Sequence, residues 1–256
     1  MKSFIAFLKK EWLHFLRSGH LWIFLGIFLL FGIMNPVIAK LTPWMMEMLA
    51  ESMEETGFTM AVVKVDAMTS WTQFFKNIPM ALIAFVIIQS NLFTKEYQSG
   101  TLVLILTKGL DRYKVVIAKF IRLFTLWTVG YWLCYGITYV GNMFFWDNEI
   151  VNALEFTAFN WWLFGVWTIS LMILFSAIAS SNIIVMLGTG VSVLAVYLLG
   201  LLPWVKEYTP TTLMNTTNLL FGVEKASEYG ITIVVTFVLC MVAIGISIPI
   251  MNKRKI

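Results

Sequence analysis

Long stretches without a charged residue alternate along this chain with short charged ones, and that rhythm carries most of the reading. A membrane-spanning helix needs about 20 mostly apolar residues. Charge-free runs of that kind cover residues 21–39, 77–94 (extended upstream from Trp71), 123–146 and 230–252. Residues 156–205 hold no charge at all, which is room for two spans. The polar triplet Ser180-Ser181-Asn182 marks the turn between them. The pattern predicts six spanning helices, near 21–39, 71–94, 123–146, 156–179, 183–205 and 230–252. The fold class is all-α: one polytopic membrane domain over 1–256. The first run begins only at Leu21 and is long enough to span, so it reads as a retained helix and not as a cleaved signal.

The segments between the runs have patterns of their own. In residues 2–17, Phe4, Leu8, Trp12 and Phe15 or Leu16 recur at helical spacing, with Lys9, Lys10, His14 and Arg17 between them. This predicts an amphipathic helix lying on an anionic leaflet. In the first outer loop, Thr42 before Pro43 is a helix-start signal. Leu41, Trp44, Met45, Met48, Leu49 and Met53 then mark one face, and Glu47, Glu51, Glu54 and Glu55 the other. An outer amphipathic helix is expected there. The thioethers of Met45, Met46, Met48 and Met53 suit Cu(I), but an adaptable apolar face is the simpler reading. Residues 206–229, with Pro210 and a polar run from Thr211 to Asn218, are too polar to span and read as a cap. In the second basic loop, the apolar stretch from Thr101 to Leu106 is too short to span and must pack on something. Gly109 and Asp111 then supply a turn, and Tyr113 to Arg122 a basic helix. Physical chemistry alone leaves two readings open: a connector docked on its own bundle, or a docking helix for a cytoplasmic motor.

Composition narrows the function classes. Of 256 residues, 59% are apolar or aromatic and 12% charged, with a mean hydropathy of +0.83. A soluble domain carries about 25% charge, so a soluble enzyme, a nucleic-acid-binding domain and a disulfide scaffold are excluded. Thirteen of the 18 lysines and arginines fall in the N-terminal segment, the second loop and the tail, while eleven of the 14 acids fall opposite. The positive-inside rule then places both termini in the cytoplasm. Topology accounts for the basic pI, and no nucleic-acid partner is expected. Trp12, Trp22, Trp44, Trp71, Trp146, Trp161, Trp162 and Trp204 sit near run ends, and most of them read as interfacial anchors.

Missing chemistry is informative too. No Asp, Glu, Lys, Arg or His lies inside the charge-free runs, which disfavours a proton-coupled pump and weakens a sodium-coupled carrier. There is no G-x-S-x-G elbow, no H-E-x-x-H and no phosphate loop. Cys134 and Cys240 lie within apolar runs and suggest no metal site. If ATP drives this protein, another chain binds it.

The second loop resembles the ABC-2 type permease family, the membrane subunits of a class of ABC exporters. The resemblance rests on Glu96, Gly100-Thr101, the leucine-rich stretch ending Leu106-Thr107, then Leu110, Arg112 and Lys119. Gly109 stands where many members have proline, and Asp111 where many have serine. The resemblance implies a coupling helix from Tyr97 to Thr107 seated on a separate ATPase. Tyr97, Gly100, Thr101, Leu104, Leu106, Thr107 and Arg112 would form that interface. Glu96 would gate the inner mouth, and Lys119 would brace the loop. It implies no catalytic residue and no cofactor on this chain, ATP and Mg being held by two partner ATPase subunits. It also implies a second permease, alike or different, in the cell (inner) membrane of a prokaryote. The expected cargo is a hydrophobic peptide, antibiotic or similar amphiphile. The alternative is a motor-independent carrier or channel for a small solute or ion.

Overall fold

Helices form wherever the charge-free runs lie, and several continue beyond them. The computed structural model describes residues 2–17, 19–54, 65–91, 94–107 and 109–254. In order come α1 (Lys2–Arg17), α2 (His20–Glu54), α3 (Ala67–Gln89), the short α4 (Thr94–Gln98) and α5 (Thr101–Thr107), then α6 (Arg112–Phe145). They are followed by α7 (Leu154–Ile178), α8 (Asn182–Gly200), the short α9 (Thr216–Leu220) and α10 (Gly230–Lys253). No strand occurs among the described residues. Six helices, α2, α3, α6, α7, α8 and α10, are long and apolar enough to cross a membrane, as the pattern predicts. The chain is a multi-pass membrane protein. Lys10 of α1 reaches Glu96, and Arg112 reaches Arg254, so both ends of the chain meet α4–α6 at one end of the bundle. This is called the basic end below.

The centre of the bundle is α7, which packs against α6, α8 and α10. It buries Leu163, Ile169, Met172 and Ile173 on successive faces, as a helix apolar all round should. Lipid supplies no hydrophobic drive between helices, so close approach at small residues and shared polar bonds hold them together. A β-carbon on Gly32 would sit 3.1 Å from the Cys134 carbonyl of α6, and one on Gly141 2.9 Å from the Pro36 ring of α2. A polar ladder crosses three helices beside this contact. Asn77 Nδ2 of α3 donates to Asn35 Oδ1 of α2 (2.8 Å), and Asn35 Nδ2 donates to Thr138 Oγ1 of α6 (3.0 Å). The Thr138 hydroxyl returns to the Gly32 carbonyl (3.0 Å). By contrast α8 buries only Val185 and Thr189, half-buries a few residues such as Val193 and Val196, and leaves most of its surface exposed.

Several sequence expectations change. Thr42 and Pro43 do not start a new helix. α2 runs through Pro36 and Pro43 as one 35-residue helix, about 50 Å long. The Thr42 hydroxyl bonds back to the Ile38 carbonyl (2.8 Å) and caps nothing. The predicted outer amphipathic helix is therefore the far end of α2. Met45 and Met48 are exposed there, and the side chains of Leu49, Glu51, Met53, Glu54 and Glu55 lie outside the described residues. The basic helix from Tyr113 to Arg122 does lead into the third span, as the first part of α6. Trp71 and Trp161 are buried within the bundle and are not interfacial anchors, whereas Trp22, Trp44 and Trp204 are exposed. The Trp71 indole donates to Asn148 Oδ1 (2.8 Å) and packs with Phe74 and Tyr135. A buried indole usually finds such an acceptor, which periodicity does not reveal. Opposite the basic end, the segment between α8 and α10 folds into short turns. There Glu224 accepts from Asn218 Nδ2 (2.9 Å) and from the Tyr229 hydroxyl, and Lys206 lies 3.6 Å away.

Candidate functional site

The site begins with the face that α1 buries. That face is Phe7, Glu11 and Phe15, spaced i, i+4, i+8, with Phe4, Leu8 and Trp12 only half-buried. The sequence reading placed the stripe one position away and so missed a carboxylate at its centre. Glu11 faces α6, where Lys119 and Arg122 stand one turn apart. Arg122 Nη1 donates to Glu11 Oε2 (2.9 Å), and Lys119 Nζ lies 3.7 Å from the same oxygen. Lys119 Nζ also lies 2.8 Å from Glu96 Oε2, and Lys10 Nζ donates to Glu96 Oε1 (2.8 Å). Arg122 Nη2 reaches Gln89 Oε1 of α3 (3.4 Å).

Burial decides how these contacts weigh. Glu11 is 3% exposed, Lys119 0% and Arg122 7%. Charges that deep persist only when paired. Burial pushes the Glu11 carboxyl up, but Lys119, Arg122 and Lys10 together outweigh it and hold the group down at about 2. Burial lowers the Lys10 ammonium, and its bond to Glu96 with the nearby carboxylates overcomes this and leaves it raised. The cluster is a charged clamp joining α1, α4 and α6.

Beyond the clamp lie α4 and α5. They are two helices, where a single coupling helix from Tyr97 to Thr107 was expected. The break falls at Gly100, whose φ of +66° is left-handed backbone that glycine adopts without the strain a β-carbon brings. α5 is pinned by Leu102, fully buried, with Ile105 and Leu106 packed partly against the core. Its other face shows Thr101, Val103, Leu104 and Thr107 to the surroundings, and Leu104 is 62% exposed.

A family model described as ABC-2 family transporter protein matches residues 5–203, which takes in most of α1, the clamp, α4–α5 and α8. The chain belongs to the ABC-2 transporter family. No curated protein and no solved structure gives a match. An ABC-2 permease is a membrane transport subunit, and the family implies an ABC ATPase as partner.

In this ABC-2 permease the residues singled out from sequence fall into three groups. Glu96 and Lys119, assigned there to a gate and a brace, are ion-paired to each other. Thr101, Leu104 and Thr107 share the outward face of α5, with Gly100 at the break before it. Tyr97, Leu106 and Arg112 turn toward the chain itself. Arg112 Nη1 donates to the carbonyls of Met251 (2.8 Å), Asn252 (3.2 Å) and Arg254 (2.6 Å), at the end of α10 where the helix leaves carbonyls unpaired. The Tyr97 hydroxyl meets Met251 Sδ (3.0 Å), and the Arg254 guanidinium stacks 3.9 Å from the Tyr97 ring. Arg254 in turn donates to the Ala177 carbonyl (2.8 Å) and to Ser180 Oγ (2.7 Å) at the end of α7. The tail of this permease thus straps α4 to α7 and α10. Sequence reasoning missed Glu11, Lys10, Arg122, Gln89 and Arg254. The one available signal was Glu11, a lone acid between Phe7 and Phe15 in a basic segment.

Proposed function

We propose that this ABC-2 permease is the membrane half of an ATP-driven exporter, powered by a separate cytoplasmic ATPase that seats on α5. The observation that carries this reading is the split character of α5. Leu102 anchors one face, and Val103 and Leu104 stand bare on the other. An apolar face offered at the mouth of a transport subunit suits a protein partner. The charge bias makes the basic end cytoplasmic, which is the side where ATP is available. Behind α5 the clamp and the tail strap connect α4 with α1, α6, α7 and α10, so a push on α5 has a route into the bundle. Two ATPase copies, holding ATP and Mg, and a second permease complete the assembly. The exposed face of α8 suits that second chain or lipid. The cargo is a hydrophobic peptide, antibiotic or similar amphiphile, in keeping with the long charge-free runs of the spans.

The test is Leu104→Asp in the complex purified from its native membrane and reconstituted in proteoliposomes. The variant is expected to insert normally and to lose ATPase-coupled transport. Normal transport by the variant overturns the assignment of α5. A wild-type preparation without any ATPase, in a detergent that preserves a known ABC complex, favours a motor-free carrier instead.

A further inference from the structure

Beside the clamp, at the basic end, a recess of about 250 Å³ opens between α1, the end of α3 and α4. That is room for about eight water molecules, or for a phosphodiester. Its charged lining is Lys10, Lys95, Lys119 and Arg122 against Glu11 and Glu96, with His20 beside them. Cations outnumber carboxylates two to one. Three of those cations already share the two carboxylates, so the enclosed charge stays positive after every ion pair is made. A concave surface with a net charge of one sign concentrates the opposite ion. Arg122, 93% buried and lining the recess, keeps its Nε–H without an acceptor. Ser99 and Thr101 add hydroxyl groups at the rim. Ammonium, guanidinium and hydroxyl donors together match phosphate oxygens.

The surroundings say where such a phosphate comes from. On α1 and the start of α2, Ile5, Leu16 and Trp22 are 60%, 48% and 74% exposed. Leu16 and Trp22 flank the α1–α2 corner that His20 brings to the recess, and Ile5 lies near the other end of α1. They belong among acyl chains, and a ligand arriving from water has no use for them. We propose that the recess binds the phosphate of an anionic phospholipid headgroup from the adjoining leaflet. A headgroup held there balances the excess positive charge and ties α1 to α4, so the composition of the leaflet bears on the position of the clamp.

Native mass spectrometry of the purified permease alone tests this without any ATPase, so the result is independent of the exporter reading. The probes are phosphatidylglycerol, phosphatidylcholine and inorganic phosphate. One phosphatidylglycerol per chain is expected to stay bound, with phosphatidylcholine weaker by about fivefold, the value of one surface charge. Lys95→Glu changes an exposed rim residue by two charges and is expected to weaken phosphatidylglycerol about 25-fold, whereas Lys95→Arg retains it. If Lys95→Glu does not fold, Ser99→Glu serves in its place with an expected loss of about fivefold. Equal binding of the two lipids, or a charge-reversed variant that holds phosphatidylglycerol as tightly as wild type, overturns the proposal. Full displacement of the lipid by millimolar inorganic phosphate also overturns it, because the recess is then a site for the free anion.

Discussion

The two ends of the bundle hold their charges differently. At the basic end, Lys10 and Glu96 meet across 86 residues of chain, and Glu11 and Arg122 across 111. At the other end, Glu224 takes its partners Lys206, Asn218 and Tyr229 from a single connecting segment. The Glu11 side chain is 4% exposed and that of Glu224 20%. The distal clasp is local and forms with its own segment. The basic clamp is complete only when α1, α4 and α6 have all arrived: Lys10 lies 3.4 Å from Glu11 within α1, but α6 carries no acid of its own for Lys119 and Arg122. A local clasp stabilises a turn. A shared clamp couples elements, since moving α4 changes the partners of Lys119 and, through it, the setting of Glu11.

The sharpest way to break this contrast is Arg122→Ala. It leaves Glu11 buried beside a weakened set of cations, and loss of one member of a buried pair costs about 3–5 kcal/mol. A large fall in the thermal midpoint in detergent is expected, with much of it recovered in the double variant Glu11→Met, Arg122→Met. A midpoint unchanged in the single variant means that the clamp bears no load.

A pH series sharpens the same point. The Glu11 carboxyl is held below its ordinary value of 4.5, at about 2. A group depressed on folding contributes fully above its unfolded pKa, and that contribution is lost as pH falls toward the folded value. Wild type is therefore expected to lose stability relative to Glu11→Gln progressively between pH 4.5 and 2, with a constant gap above. A gap that widens on acidification reverses the sign and rejects the ion-paired state.

The strap comes next in size. Arg112→Ala removes a charged donor from three carbonyls at the end of α10, a loss of about 1.5 kcal/mol. Amide exchange in the last turn of α10 is expected to quicken, while that in the segment between α8 and α10 stays as it was. The smallest effect belongs to Glu224→Gln. Burial raises that carboxyl, and the bonds from Tyr229 and Asn218 with the nearby Lys206 hold it below its usual range. Loss of about 1 kcal/mol is expected, confined to faster proteolysis or exchange in the connecting segment. A global fall in the midpoint would make the two ends equivalent.

The legibility of each part follows from the range of the forces behind it. A spanning helix satisfies its own backbone and needs only a local run of apolar side chains. The six spans and the short apolar stretch of α5 could therefore be read directly from windows of sequence. The signature from Glu96 to Lys119 was legible as a pattern, and it led to the right family. What each residue touches was not. Arg112 was singled out for an ATPase interface, and its bond to the end of α10, 139 residues away, could not be read from any window of sequence. Trp71 sits near the end of a charge-free run, as an interfacial residue would, yet a partner 77 residues later draws it inward.

Sequence by itself determined that this chain is a six-span helical membrane protein with its basic residues gathered at one end, because length, apolarity and charge bias act within a single segment. Only the tertiary structure decided that Glu11 lies at the heart of that end. A carboxylate on a surface helix goes to water unless another helix brings cations to meet it. Whether Lys119 and Arg122 do so depends on how α1 is rotated against α6, which the burial of Phe7 and Phe15 sets and no window of sequence contains.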